Sequence, residues 1–284
     1  MLIHIIIFIL SIIDLVALYN LYKIIKNMYS LKNKLIQNNC IIIYNKPEYT
    51  YINKLLLIIF ENICDDYIFD INDYKNIMNK LNNNKLNNNN KLNNNNKLNN
   101  NNKLNNNINI IYDTYGGNIQ SNDILINYII ESKIKINGYV FKKSQSAGTI
   151  LALLSTKLYM NRDAILSPTD PQITIDDETY SIKSIINMCE SKGHNYISDK
   201  YLLQYYENKK LHYENIDMIT RLINKKIKQN VSKEKKENLI YELTSGDYTH
   251  YKPITGLYLN GYININLDIP KSISSIYEIY LSIT

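Results

Sequence analysis

Residues 144–149 read Ser144-Gln145-Ser146-Ala147-Gly148-Thr149, between a predicted strand and the first turn of a predicted apolar helix. A glycine turn, Tyr115-Gly116-Gly117, closes an earlier predicted strand. Acyl transfer needs a serine hydroxyl held at the start of a helix. It also needs backbone N–H donors facing the charge that develops on the attacked carbonyl. Ser146 fits the first role, and the Gly116-Gly117 turn with the amide of Ala147 fits the second. A Ser-Ala-Gly string alone is weak, because small residues at a strand-to-helix turn commonly serve packing. Its pairing with a second glycine turn gives it weight.

The elements that would position these groups alternate. Residues 40–44 read as a short apolar strand and residues 53–63 as a helix. A strand over 108–112 leads into the glycine turn and a helix over 121–132. A strand over 136–141 leads into Ser146 and a helix over 147–154, and residues 158–160 read as a further strand. Strand, glycine turn and helix, repeated twice, predict a layered α/β core with both helix N-termini at one edge of the sheet. Helix N-termini favour developing negative charge. Residues 178–242 are predicted mostly helical, ending at a polar turn near Ser245-Gly246.

Residues 2–22 are almost continuously apolar, with His4 and Asp14 inside the run. As a helix they would span roughly 30 Å, the thickness of a bilayer core. A mid-span carboxyl costs a few kcal/mol, which the surrounding Leu, Ile and Phe offset. The run has no basic n-region and no small-residue cleavage site, so a cleaved signal peptide fits poorly; a buried amphipathic helix is the other alternative. Lys23, Lys26, Lys32 and Lys34 follow the run, and the positive-inside rule then sets the main domain on the cytosolic side. The expected organisation is a single-pass membrane anchor and juxtamembrane helix over residues 1–36, then an α/β domain over 37–284. Residues 80–107 cycle through Lys-Leu and runs of asparagine. So little apolar surface cannot build a core, so this is expected to be a disordered insertion, inexpensive in a surface loop.

The net charge is +6, but the lysines are scattered or lie in the repeat, which argues against nucleic-acid binding. With only 8 Gly and 5 Pro and heavy use of Asn, Ile, Lys and Tyr, the composition looks drifted, and no single Asn or Lys stands out. Cys40, Cys64 and Cys189 are odd in number and widely spaced, so buried free thiols are expected. His4, His194, His212 and His250 show no metal-ligand spacing, and neither a metal nor another cofactor is expected.

Four segments, in order, resemble the serine dehydrogenase proteinase family, membrane-associated relatives of signal peptide peptidase A within the Clp protease/crotonase superfamily. They are Asp113-Thr114-Tyr115-Gly116-Gly117, Ser144-Gln145-Ser146-Ala147-Gly148-Thr149, Ala164-Ile165-Leu166-Ser167-Pro168-Thr169-Asp170-Pro171-Gln172 and Gly246-Asp247-Tyr248-Thr249-His250-Tyr251-Lys252-Pro253-Ile254. The chain departs from the family pattern at Asp113 (His in the family), Tyr115 (Pro) and Ser167 (Gly).

The resemblance implies a Clp protease/crotonase-like α/β core behind an N-terminal transmembrane helix. It implies Ser146 as nucleophile and the amides of Gly117 and Ala147 as oxyanion hole. The base is left between Lys200, which falls near the lysine used by bacterial signal peptide peptidase A relatives, and His250. A Ser146-His250-Asp170 triad is an option, with Asp170 otherwise fixing a rigid turn. The resemblance further implies a homo-oligomer acting as a serine peptidase on peptide or membrane-protein substrates. Two rival functions stand beside it. One is a crotonase-like acyl-thioester enzyme using the same oxyanion hole, disfavoured because no Glu lies near Gly117 or Ser146 in sequence. The other is a catalytically inactive scaffold that keeps the fold.

Overall fold

The computed structural model describes residues 2–45, 63–64, 67–83 and 107–283, with backbone alone for residues 2–15, 17 and 119–121. The chain opens with helix α1 (Leu2–Gln37), followed by strands β1 (Cys40–Tyr44) and β2 (Ile68–Asp70). Residues 74–83 are helical. Then come β3 (Ile108–Thr114), α2 (Ile119–Ser132), β4 (Ile136–Ser144), α3 (Ala147–Leu154), β5 (Lys157–Met160) and β6 (Ile165–Leu166). A hairpin, β7 (Gln172–Ile175) and β8 (Glu178–Ser181), precedes α4 (Ile182–Lys192), the long α5 (Asp199–Lys226) and α6 (Lys233–Thr244). The chain ends with β9 (Ile254–Thr255), a single turn α7 (Gly256–Leu259) and α8 (Lys271–Leu281).

The fold is mixed α/β around a seven-stranded sheet of order β2-β1-β3-β4-β6-β9, with β5 also paired to β4. All its pairings are parallel except β6 with β9. Parallel strands are covered on both faces and so read as unbroken apolar runs; every residue of β1 is buried. Side chains alternate between two cores, as the two-residue period of a strand requires. Ile41, Ile43, Ile110 and Tyr112 face the core built with α2, α3, α5 and α6. Cys40, Ile42, Tyr44 and Ile111 face the core built with α1 and α8.

That second core includes the C-terminal half of α1. Met28, Leu31 and Leu35 are fully buried in it, and Lys34 Nζ donates to Ser275 Oγ of α8 at 3.0 Å. Among the described residues no helix is long and apolar enough to cross a membrane; most side chains of residues 2–22 lie outside them. All but Ile63 of the helix expected at 53–63, and the bulk of the asparagine repeat, fall outside the described residues; Ile63 is helical, and residues 80–83 continue the preceding helix. Cys40, Cys64 and Cys189 are all buried.

The region expected to be mostly helical from 178 instead begins with a strand. β7 and β8 pair antiparallel through Gln172↔Ser181 and Thr174↔Thr179. Their two-residue turn uses Asp176 (φ 50°) and Asp177 (φ 65°), the left-handed pair that a tight hairpin demands.

Candidate active site

Because β1, β2, β3 and β4 run parallel, their C-terminal ends meet at one edge of the sheet, and the chemistry-bearing residues gather there. Ser146 follows β4 and opens α3 with φ 53° and ψ −122°. A left-handed backbone on a residue with a Cβ costs of order 1–3 kcal/mol and persists only where its surroundings enforce it. Here they do. Ser146 N–H donates to Ser167 Oγ at 2.9 Å, and Thr149 Oγ1 donates to the carbonyls of Ser144 (2.8 Å) and Ser167 (3.0 Å). Ser167, one of the departures from the family pattern, therefore braces the candidate nucleophile. The Ser146 hydroxyl makes no capping hydrogen bond to α3.

Gly116 has to be glycine. Its φ is +105°, and a Cβ there would lie 2.7 Å from Ser146 Cβ and 3.2 Å from its Oγ. The turn around it is clamped by an asparagine that nothing in the sequence marked out. Asn45, just past β1, accepts from Thr114 Oγ1 at 2.7 Å and from the Tyr115 amide at 2.5 Å, and its Nδ2 donates to the Gly116 carbonyl at 2.6 Å. Asn72, just past β2, accepts from the Asn118 amide at 2.6 Å. The Gly116 N–H is taken by Thr114 Oγ1. Among the described residues, the Gly117 N–H has no acceptor, and the Ala147 N–H, at the first position of α3, has no intrahelical one.

Asp113 points away from the cavity, whereas Tyr115 lies on its wall. Asp113, on the face of β3 toward α8, accepts from Tyr277 Oη at 3.0 Å. Burial, then the charge of Asp113, pushes the Tyr277 hydroxyl well above the usual tyrosine range. Tyr115 is 57 % exposed with the Lys143 ammonium over its ring.

The residues meet at a cavity of about 1030 Å³ lined by Gly117, Ser146, Ala147, Asp170 and His250, with walls from α2 and α5. His250 Nδ1 lies 2.9 Å from Asp170 Oδ1, and Asp170 Oδ2 accepts from Gln172 Nε2 at 2.8 Å. The Asp170 side chain is 1 % exposed and that of His250 14 %. A carboxylate accepting from Nδ1–H leaves Nε2 as the proton acceptor. Among the described residues no hydrogen bond joins the Ser146 hydroxyl to His250 or to a lysine. Such contacts are often long without substrate and tighten when it binds.

Lys200 is not brought to this cavity. It sits exposed in the first turn of α5, its ammonium 5.9 Å from the Tyr201 ring. Leu211 is the earliest α5 residue on the cavity wall, three turns or roughly 16 Å further along the helix. Lys200 rested on spacing alone, in a chain where lysine recurs throughout.

Sequence reasoning also passed over two residues of α5. Asn215 Nδ2 donates to Thr169 Oγ1 at 3.3 Å, tying α5 to the segment that carries Asp170. His212 is buried with its Nδ1 unpartnered among the described residues. Burial, and then Lys183, hold its pKa below the ordinary histidine value, against the opposing pull of Asp170 and Asp247. Among the described residues no group of His, Cys, Asp or Glu is arranged to hold a metal ion.

Fold and site together have the parts of a serine-type hydrolase. The chain belongs to the ClpP-like SDH-type serine proteinase family, whose sequence model matches residues 97–283, more than half of the chain. It is 27 % identical over 174 residues to the uncharacterized protein MJ1495 of Methanocaldococcus jannaschii, covering 61 % of this chain and 56 % of that protein. It is also 27 % identical over 178 residues to the uncharacterized protein MJ0137 of the same organism, covering 61 % of this chain and 58 % of that one. The chain thus spans little more than half the length of these relatives. Among solved structures, a serine-to-alanine mutant of the 1510-N membrane-bound stomatin-specific protease superposes with a TM-score of 0.38 at 17 % identity, covering 61 % of this chain and 68 % of that one. A lysine-to-alanine mutant of the same protease with a substrate peptide gives 0.32 at 15 % identity, over 86 % and 97 %.

Proposed function

We propose that this chain is a serine peptidase with Ser146 as nucleophile, His250 as general base, Asp170 as the group that orients it, and the Gly117 and Ala147 amides as oxyanion hole. One observation carries the reading. A serine held at φ 53° by its neighbours shares a cavity with a half-buried His250 paired to the buried Asp170, and with two candidate amide donors.

In the reaction, Ser146 Oγ attacks the scissile carbonyl while His250 Nε2 takes its proton. The carbonyl oxygen gains negative charge, which the two amides and the N-terminus of α3 stabilise. His250 then returns the proton to the departing amine, leaving an acyl-enzyme on Ser146. Water, deprotonated by His250, releases the acid and restores the serine. Asp170, held by Gln172, stabilises the imidazolium that forms in each half.

We extend the proposal to the setting. The apolar run 2–22 supports a single-pass anchor with the domain on the cytosolic side, peptide or membrane-protein substrates, and a homo-oligomer as family membership implies. A second reading, an inactive scaffold, is favoured by the missing hydrogen bond between the Ser146 hydroxyl and a base. Peptide turnover separates the two. Cleavage of a mixed peptide pool by the intact chain, lost in Ser146→Ala with unchanged thermal unfolding, supports the peptidase; equal products from both proteins refute it.

A further inference from the structure

The cavity wall beside the oxyanion turn is made of acceptors. Asp123 on α2 and Glu214 on α5 both line it. Neither has a cationic partner among the described residues. The two carboxylates feel each other: burial, and then the charge of Glu214, push the Asp123 carboxyl above the usual aspartate value. A third acceptor is independent of that pair. Asn122 lines the same cavity and is 2 % exposed, and its Oδ1 has no partner among the described residues while its Nδ2 is spent on the Asn118 carbonyl.

Like charges facing each other across a cavity, next to an unsatisfied buried acceptor, cost free energy in the empty protein. A donor-rich cation relieves all three groups at once. The basic residues that share the wall cannot supply it. Arg221 is already paired with Asp217 at 3.0 Å, and it stands two turns, roughly 10 Å, along α5 from Glu214. Lys225 lies a further turn away.

Position relative to the reacting bond follows from Gly117. A Cβ on that residue would lie 3.1 Å from Asn122 Nδ2, so the Asn122 side chain begins directly beside the residue assigned to the oxyanion hole. Asp123 follows Asn122 on α2 and Glu214 lines the same cavity, so a substrate residue whose carbonyl oxygen sits at that amide is next to this wall.

We infer that Asn122, Asp123 and Glu214 form a specificity pocket for a lysine or arginine side chain on the substrate residue whose carbonyl Ser146 attacks. The inference rests on the serine-peptidase reading and adds its substrate class. It assigns Asp123 and Glu214 to substrate selection and leaves the bond-making steps to Ser146 and His250.

The test uses the full chain and three peptides that differ only at the residue contributing the attacked carbonyl: lysine, its uncharged near-isostere norleucine, and glutamate. The expected order of kcat/KM is lysine above norleucine by at least about tenfold, a value typical of one desolvated charge pair, with glutamate last. Asp123→Asn with Glu214→Gln should bring lysine and norleucine together, and Asp123→Lys should move glutamate ahead of lysine. Glu214→Gln alone, at an exposed helix position, secures a folded variant and should lower the lysine preference in part. Norleucine matching lysine in the unaltered chain, or a lysine preference surviving both carboxylate substitutions, overturns the inference. Labelling of Ser146 by a neutral fluorophosphonate, which needs no basic side chain, keeps the two claims apart. A labelled enzyme without the preference overturns the pocket alone, and an unlabelled one overturns the peptidase reading with it.

Discussion

His250 and Asp170 meet through Nδ1 and Oδ1 at 2.9 Å, although they come from the loop after α6 and the turn after β6. Asp170 is fixed between Pro168 and Pro171, and its second oxygen is held by Gln172. His250 is held by its own loop, where the Asp247 carboxylate accepts from Tyr241 Oη, and Lys252 pairs with Glu242 at 3.4 Å. Both partners of the contact are therefore anchored by their own segments.

Replacing His250 with alanine should lower kcat by about 10²–10⁴-fold, the range for losing a general base. Asp170→Asn, which keeps the shape and removes the charge, should lower kcat with little change in KM. Steady-state kinetics on one peptide with thermal unfolding alongside checks both. A His250→Ala enzyme of unaltered kcat would move the base elsewhere.

Asn45 offers a test of the oxyanion turn that touches neither serine nor histidine. Asn45→Ala removes the three hydrogen bonds that hold residues 114–116. Misplacing a catalytic group by about 1 Å can cost about a hundredfold, so kcat should fall by about 10–100-fold while KM stays close to its original value. Asn45→Asp keeps the acceptor for Thr114 and Tyr115 and loses only the donor to Gly116, and it should fall between the two.

Gly116 and Gly193 make a matched pair, with φ +105° and +79°. A Cβ at Gly193 meets only Tyr196 Cδ2, at 3.7 Å, whereas at Gly116 it strikes Ser146. Both alanine variants should lose about 1–3 kcal/mol from backbone strain, read as a drop in unfolding midpoint. Gly116→Ala alone should also abolish turnover.

Much of this architecture is legible in the sequence. The apolar run Cys40–Tyr44 and the helix Ala147–Leu154 coincide with β1 and α3, because buried parallel strands and an apolar helix after a small-residue turn have distinctive patterns. Other features are hidden for identifiable reasons. β3 runs past Tyr112 to Thr114 because Asp113, a poor strand former by type, finds Tyr277 on the far face. The β7–β8 hairpin has an Asp-Asp turn in place of the usual Asn-Gly. Asn45 is camouflaged in a chain full of asparagine, and its role exists only once β1 pairs with β3 and brings it against the glycine turn. Lys200 shows the converse, an abundant residue at a suggestive spacing with no place in the cavity.

His212 predicts a pH dependence of stability. Its folded pKa lies below its ordinary value of 6.5, held there by burial and by Lys183 against Asp170 and Asp247. Above pH 6.5 the ring is neutral in both states and takes nothing from stability. As pH falls below that value the unfolded chain binds the proton and the folded one resists, so stability is lost progressively down to the folded pKa. Unfolding midpoints measured between neutral pH and about pH 5 should fall for the natural chain, and fall less for His212→Gln.

The central claim is that Ser146 is the nucleophile, and a covalent adduct tests it most directly. Incubating the intact chain with a fluorophosphonate and mapping the modified peptide by mass spectrometry should place the phosphonyl group on Ser146. Labelling should be absent in Ser146→Ala and slowed in His250→Ala. An adduct that persists in Ser146→Ala, or a well-folded chain that takes up no label, would contradict the account.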